Sequence, residues 1–376
     1  MTLFARLESA TREVWQTAFR LVPWPTKAGL RSVGTPDEAS PVLVTCNYDL
    51  TVRRLLKALA GCDAWVVVAP TRGINVWCAA AGGHMGSHQV VSALKTSGVA
   101  DRVDHRDVIL PQLAATGVLA LDVFRRSRWR VRFGPVAASQ LPAYLAAGAG
   151  KGEKTEAMRR VTFPASDRMQ MAASWAAPAS IVFGGLALLF EPAWAWPLCL
   201  LVSVMAIAVF AIFDRLGAHR KAILAVASTT GALSITLLFG GGGVAAAVAM
   251  AAALSMAAAL TFDYEGTTPL EGSGHFEGRA WTITLDTDRC EAIDRCWEVC
   301  PKGCFEKLEG RNKIELAHED RCIRCGACVV QCPQDALFFQ DSDGARIEPD
   351  VIRRFKLNLL GQRSVDSSSS DAGAGS

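Results

Sequence analysis

Apolar and polar positions change rhythm three times along the chain. Between residues 41 and 165, short β-branched runs (PVLVTC, AWVVVAP, INVW, DVILP, WRVRFGP) alternate with stretches whose apolar residues recur every three or four positions, such as Leu55, Leu56 and Leu59 or Val90, Val91 and Leu94. Continuous apolar runs of four to six residues predict strands buried on both faces, and the interleaved helical spacing predicts helices covering a parallel sheet. The run INVW reads as a strand, with Cys78 directly after it, a glycine-rich turn, and a helix from Ser87 that stops at Gly98. Ligands of such sheets lie beyond the carboxyl ends of the strands, so Cys78, and also Asn47 and Tyr48 after PVLVTC, are placed to border a crevice. Residues 1–40, broken by VPWPTKAG and GTPDEASP, predict an irregular arm with one short helix.

From 169 the pattern becomes almost wholly apolar. Residues 169–190, 193–213, 221–239 and 244–262 are four runs with no charged residue in their interiors, each about long enough for a hydrocarbon core of ~30 Å. The missing ionisable groups argue for an anchor against an ion or proton pathway. The fourth run, AAAVAMAAALSMAAA, is the weakest, because small residues lower its hydrophobicity while suiting close helix packing. The connection DRLGAHRK carries Arg215, Arg220 and Lys221, whereas EPAW and GGGG carry no positive charge, so the basic loop is expected on the cytoplasmic side. Four spans then place the preceding and following domains together in the cytoplasm, against membrane lipid. A polar stretch, LAAGAGKGEKTEAMRR, reads as the linker into the spans, and the tail SVDSSSSDAGAGS (364–376) as disordered.

Composition adds the chemistry. The 376 residues are 51% hydrophobic and 20% charged, with a formal charge of +3 and twelve cysteines. That balance fits two or three domains partly in a membrane and offers no basic stripe for nucleic acid. The segment MTLFARLESATREVW lacks an unbroken apolar core, so no cleaved signal peptide is expected. The basic residues Arg125, Arg126, Arg128, Arg130 and Arg132 read as a solvated face, open to an anionic cofactor edge or lipid headgroups.

Eight cysteines crowd between 290 and 332. Cys322, Cys325, Cys328 and Cys332-Pro333 form C-x2-C-x2-C-x3-C-P, the two-cluster ferredoxin run whose fourth cysteine serves the other cluster. A zinc ribbon also pairs C-x2-C, but the proline-marked fourth cysteine makes it a poor rival. One [4Fe-4S] cluster is therefore expected on Cys322, Cys325, Cys328 and Cys300. The other has Cys290, Cys296 and Cys332, with Ile293 where a second cysteine belongs. Cys304 is the nearest spare thiol for its fourth ligand, Asp294 is a weaker one, and a three-iron cluster is a further alternative. Such thiolates require a reducing compartment.

INVWCAA, with SPVLVTCNYDLTVRRLL upstream and VILPQLAATGV, RVRFGPV and MRRVTFP downstream, resembles the corrinoid protein of the mercury-methylation pair, a relative of corrinoid iron–sulfur proteins. The resemblance runs from about residue 40 to 164. The cysteine module, continued by DALFF and RRFKLNLLGQR, resembles the ferredoxin partner of that pair. The resemblance implies a corrinoid lying on Asn75, Val76, Trp77, Cys78, Ala79, Ala80, Gly82 and Gly83, with Cys78 on a capping helix as lower axial ligand to cobalt. It departs where Ala81 and Gly82 replace the usual glycine and lysine, and where the C-terminal cysteine pair is missing.

The fold expected is thus an α/β Rossmann-like corrinoid domain (41–165), an all-α membrane domain (169–262) and an α+β two-cluster ferredoxin domain (280–345). The resemblance implies corrinoid-dependent methyl transfer to Hg(II) or a related acceptor. A methyl group leaving with its bonding electrons leaves cobalt(III), which needs two electrons to become nucleophilic, and two clusters carry two electrons. It also implies a methyl donor system such as a methyltetrahydrofolate methyltransferase, and an electron donor. The rival readings are a tethered electron-transfer protein without methyl transfer, and a corrinoid methyltransferase for another acceptor.

Overall fold

The computed structural model describes residues 3–148, 154–212, 220–266, 281–308 and 313–355. The expected tail disorder, Arg215 of the basic loop, and part of the expected linker lie outside them. The chain divides into two units, one of Met1–Val22 with Thr162–Tyr264 and the other of Pro23–Val161 with Glu265–Ser376.

The first unit is helical. Helix α1 (Leu3–Ala18) precedes the other unit's sheet in sequence. That sheet contains β1 (Gly29–Val33), β2 (Val42–Cys46), β3 (Ala64–Ala69), β4 (Asp107–Leu110) and β5 (Arg130–Phe133), in the order β1-β3-β2-β4-β5. Strands β2 to β5 are parallel, and β1 adds antiparallel to β3. Their runs VLVTC and AWVVVA are buried almost throughout, as strands covered on both faces must be. Helices α2 (Asp49–Ala58), α3 (Val76–Ala81), α4 (Ser87–Thr96), α5 (Ala120–Ser127), α6 (Leu141–Ala146) and α7 (Glu156–Arg159) complete this part.

Two expectations are corrected here. Residues 29–33, read as irregular arm, form an edge strand, because pairing with β3 supplies the order that their mixed sequence GLRSV does not announce. INVW is not a strand. Asn75 caps a helix instead, its side-chain oxygen accepting from the Cys78 amide at 2.9 Å, and this local bond outweighs the β-preference of Ile74 and Val76.

The helical unit continues with α8 (Ala165–Phe190), α9 (Ala195–Ala211), α10 (Arg220–Leu238) and α11 (Gly243–Gly266). Among the described residues, three segments are long and apolar enough to cross a membrane: Ala165–Phe190, Pro192–Ala211 and Gly243–Leu260. The third run falls short, its apolar part Ala222–Leu238 covering about 26 Å at 1.5 Å per residue.

The cysteine module closes the second unit. It has β6 (Thr282–Leu285), α12 (Arg295–Val299), the hairpin β7 (Glu306–Leu308) with β8 (Lys313–Glu315), α13 (Ala327–Gln331), β9 (Leu337–Gln340), β10 (Arg346–Ile347) and α14 (Pro349–Phe355). Strands β10, β9 and β6 form one antiparallel sheet. Its two halves repeat each other at an offset of 32 positions. Cys290, Cys296 and Cys300 answer to Cys322, Cys328 and Cys332, and the left-handed residues Ala292, Asp294 and Gly303 answer to Arg324, Gly326 and Asp335. By the same offset Ile293 occupies the place of Cys325, and Cys304 that of Ala336.

Candidate functional site

Strand order reverses between β2 and β4, so the natural crevice lies beyond their carboxyl ends. Asn47 follows β2 but is buried and serves the frame. Its side-chain oxygen accepts from the amides of Thr71 (2.9 Å) and Gly73 (2.8 Å) and from the Thr71 hydroxyl (3.0 Å), while its amide donates to the Thr26 carbonyl. Asn47 thereby pins the loop that leads from β3 into α3. Gly73 is left-handed there, and a Cβ would meet the Pro25 nitrogen at 2.5 Å, so no side chain fits. Tyr48 is likewise buried. Neither residue borders a ligand crevice directly.

Helix α3 presents Cys78 to the exterior and buries Val76, Trp77, Ala79 and Ala80 in the core. Among the residues expected to meet a corrinoid, Cys78 and Gly82 are exposed, and Asn75 and Gly83 are half-buried. The other four hold the helix in place. The Ala79 carbonyl accepts from the amides of His84 and Met85, folding the glycine turn back beneath the helix. Gly117, just past the turn Gln112–Thr116, lies so close to α3 that a Cβ would stand 2.5 Å from the Ala80 carbonyl oxygen. An exposed thiol beside side-chain-poor backbone at a strand-end crevice is a donor set that fits a broad, flat metal-bearing ligand.

The complete cysteine group is built against this same region. Cys300, Cys322, Cys325 and Cys328 line one small cavity, and Cys304 lines it too. Cys304 is 2% exposed, and its amide donates to the Cys300 sulfur at 3.3 Å, as the Ala336 amide does to Cys332. The Cys304 thiol bonds the sulfurs of Cys300 and Cys322, which holds both of those thiols low and drives its own up. Burial pushes Cys325 and Cys328 up. Four thiolates on that cavity fit a [4Fe-4S] cluster, with a fifth thiol beside them.

The expected fourth ligand of the irregular group is therefore corrected. Cys304 is carried to the complete group, because the 32-residue repeat places it beside Cys300 on the far side of the loop CPKGCF. The other group consists of Cys290, Cys296 and Cys332; burial pushes Cys296 up to about 12, with smaller contributions from Cys332 and Cys290. Asp294 caps α12 in a left-handed conformation and gives its carboxylate to Lys307 at 2.8 Å.

The cysteine module and the sheet domain are joined by buried polar side chains whose roles sequence reasoning missed. Gln331 donates to the carbonyls of Ala115 (2.8 Å) and Val118 (2.6 Å) and accepts from the Ala120 amide. Lys154, 6% exposed, donates to Gln112 Oε1 at 2.9 Å, the Glu298 carbonyl at 3.1 Å and the Gly134 carbonyl at 3.3 Å. Burial lowers its pKa to about 8, partly opposed by Glu298. Arg159 donates to the Trp297 carbonyl and stacks 3.5 Å from the centre of that ring, and Val161 donates its amide to the Pro301 carbonyl. The stretch read as a linker is thus in part a docking strip. Ile323 and Cys325 belong to the same apolar core as Trp77, Ala79 and Ala80.

Residues 16–145 match the family described as CO dehydrogenase/acetyl-CoA synthase delta subunit, and residues 317–338 match a 4Fe-4S binding domain. An acetyl-CoA decarbonylase/synthase complex subunit gamma from Methanopyrus kandleri is 35% identical over 125 residues, 33% of this chain and 27% of the relative. A gamma 2 subunit from Methanosarcina thermophila is 38% identical over 117 residues, 30% of this chain and 25% of the relative. The Methanocaldococcus jannaschii gamma subunit is 32% identical over 125 residues, 33% of this chain and 25% of the relative. The chain spans about a quarter of the length of these relatives. These matches overturn the resemblance to the mercury-methylation pair. The motifs that carried it, VLVTC, INVWCAA and VILPQLAATGV, build strand ends, α3 and the turn beneath it. They are framework and say nothing about a methyl acceptor.

Proposed function

We propose that the chain is a corrinoid- and iron–sulfur-dependent methyl-transfer protein in which a two-cluster relay reduces a corrinoid held at Cys78. The observation that carries this reading is the shared core, in which Cys325 of the complete cysteine group packs together with Ala114 and Ala115 of the turn and Trp77, Ala79 and Ala80 of α3. The relatives' membership of acetyl-CoA decarbonylase/synthase complexes supports the chemistry and, with it, protein partners that supply the methyl group and the electrons. A bound corrinoid would supply the methyl-carrying, two-electron metal centre. On the protein's side, Cys78 offers a thiolate toward the metal from a helix fixed by Asn75, Ala79 and Ala80. Gly82 and Gly83 leave room for a flat ring. Gln331 and Lys154 hold the electron source in a fixed pose, which protects transfer from the variable separations of a tethered domain.

We further propose that α8–α11 anchor the protein in the cytoplasmic membrane, with both flanking segments on the cytoplasmic side. Leu189, Phe190, Leu237, Leu238 and Val244 are strongly exposed apolar side chains, which water disfavours. Residues before and after the helices fold into one unit, so the number of crossings must be even. On this reading α10 crosses as well as the three long spans, a small mismatch that bilayer thinning accommodates.

The test is anaerobic purification of the full chain from cells supplied with cobalamin. The expected product retains one corrinoid through gel filtration, and its cobalt is reduced by a low-potential donor more slowly in Cys325→Ser. Cys78→Ala should lose methyl transfer and keep its iron. Protein with iron–sulfur absorbance and no corrinoid would reject the reading.

A further inference from the structure

We propose that the irregular group, Cys290, Cys296 and Cys332, leaves the iron beside Ile293 open toward a basic cleft, and that a small anionic thiol binds there. This rests on the two-cluster reading above and assigns the second cluster a ligand-binding role.

Ile293 stands where its counterpart Cys325 is a ligand, and an isoleucine has no donor atom. The nearest alternatives are committed elsewhere: Cys304 to the cavity that it lines with Cys300 and Cys322, Asp294 to Lys307, and Glu291 to the Gln334 amide at 3.1 Å. Ile293 is 47% exposed and lines, together with Cys332 and Pro333, a cleft of about 850 Å³ between the cysteine module and the sheet domain. That volume lies within the range of small-molecule sites.

The charge of the cleft selects the ligand. Seven basic and three acidic side chains line it. Each acid is paired on the cysteine-module wall: Asp294 with Lys307, Glu298 with Arg295, and Asp335 with Arg353. Apart from Lys154, which is held by its three buried acceptors, the surplus positive charge therefore lies on the opposite wall, on Arg125 and on Arg130 and Arg132, which share Asp107 outside the cleft. A ligand suited to both walls has a soft donor at one end and a negative group at the other. In binding, the thiol proton passes to buffer and a sulfur–iron bond forms where an exchangeable solvent molecule leaves, with no change of oxidation state.

The test uses the anaerobically reconstituted full chain, 3-mercaptopropionate and its neutral analogue 2-mercaptoethanol, read by electron paramagnetic resonance of the reduced protein. The anionic thiol should shift one cluster's signal at a concentration at least about threefold lower than the neutral one, as one or two partly exposed charge contacts provide. The gap should close at high salt and in Arg125→Ala. Ile293→Cys should abolish the response while keeping eight irons. Equal response to the two thiols, or a response that survives Ile293→Cys, overturns the proposal. A site that stays three-iron in excess ferrous ion also overturns it, while leaving the relay standing. Only four irons in the wild type would instead sink the two-cluster reading itself.

Discussion

Replacing Lys154 by methionine tests whether the cysteine module is held rigidly or merely tethered. The ammonium donates to three acceptors in a buried place, Gln112 Oε1 and the carbonyls of Gly134 and Glu298. Stranding three buried acceptors at about 1.5–2 kcal/mol each costs about 5 kcal/mol. Against this, burying the charge is itself unfavourable. The fall of its pKa from 10.5 to about 8 corresponds to about 3 kcal/mol. Lys154→Met should therefore destabilise the second unit by about 2 kcal/mol near neutral pH, the difference between those two opposing contributions.

The same lysine gives a pH signature. Its folded pKa lies below the unfolded one, so between about pH 8 and 10.5 the unfolded chain binds the proton and the folded chain does not. Stability must then rise with pH through that window and is lost again as pH falls back through about 8. Guanidinium unfolding of the full chain, followed by tryptophan fluorescence and cluster absorbance at several pH values, measures both effects. Wild-type stability with no rise across the window, or a methionine variant within about 0.5 kcal/mol of wild type at pH 7, would refute the network as a lock.

Cys304→Ala should keep the iron of the complete cluster but lower its midpoint potential, because a donor to Cys300 and Cys322 is lost; a potentiometric titration that finds no shift rejects that role. Gly117→Val drives side-chain atoms into the Ala80 and Met85 carbonyls, so α3 should shift, with reduced corrinoid retention and a stability loss of about 1–3 kcal/mol. Retention equal to wild type would show that the contact is not needed. Reporter fusions after Gly148 and after Phe355 should both give cytoplasmic signals; opposite signals would mean an odd number of crossings.

Much of the architecture was legible in local pattern. The runs at β2 and β3 are apolar on both faces, the composition that suits a parallel strand covered by helices. The spacing of Cys322, Cys325, Cys328 and Cys332 is equally self-contained, since three thiolates on one tight loop are a local arrangement. Strand β1 was not legible, because an edge strand takes its order from the neighbour it pairs with. Nor was α3, where one Asn75 hydrogen bond overrode β-branched neighbours. Cys304 is nearest in sequence to the group that lacks a ligand, yet the approximate symmetry of the two halves carries it to the other. Lys154 lies in a stretch with the composition of a linker, and only the approach of Gln112, Gly134 and Glu298, from far away in the chain, makes it a buried cation. What the sequence determined by itself was therefore whatever depends on near neighbours: periodicity and metal-ligand spacing. Which thiol faces which cluster, and where the two domains lock, depends on contacts between distant segments, and only the tertiary structure decided them.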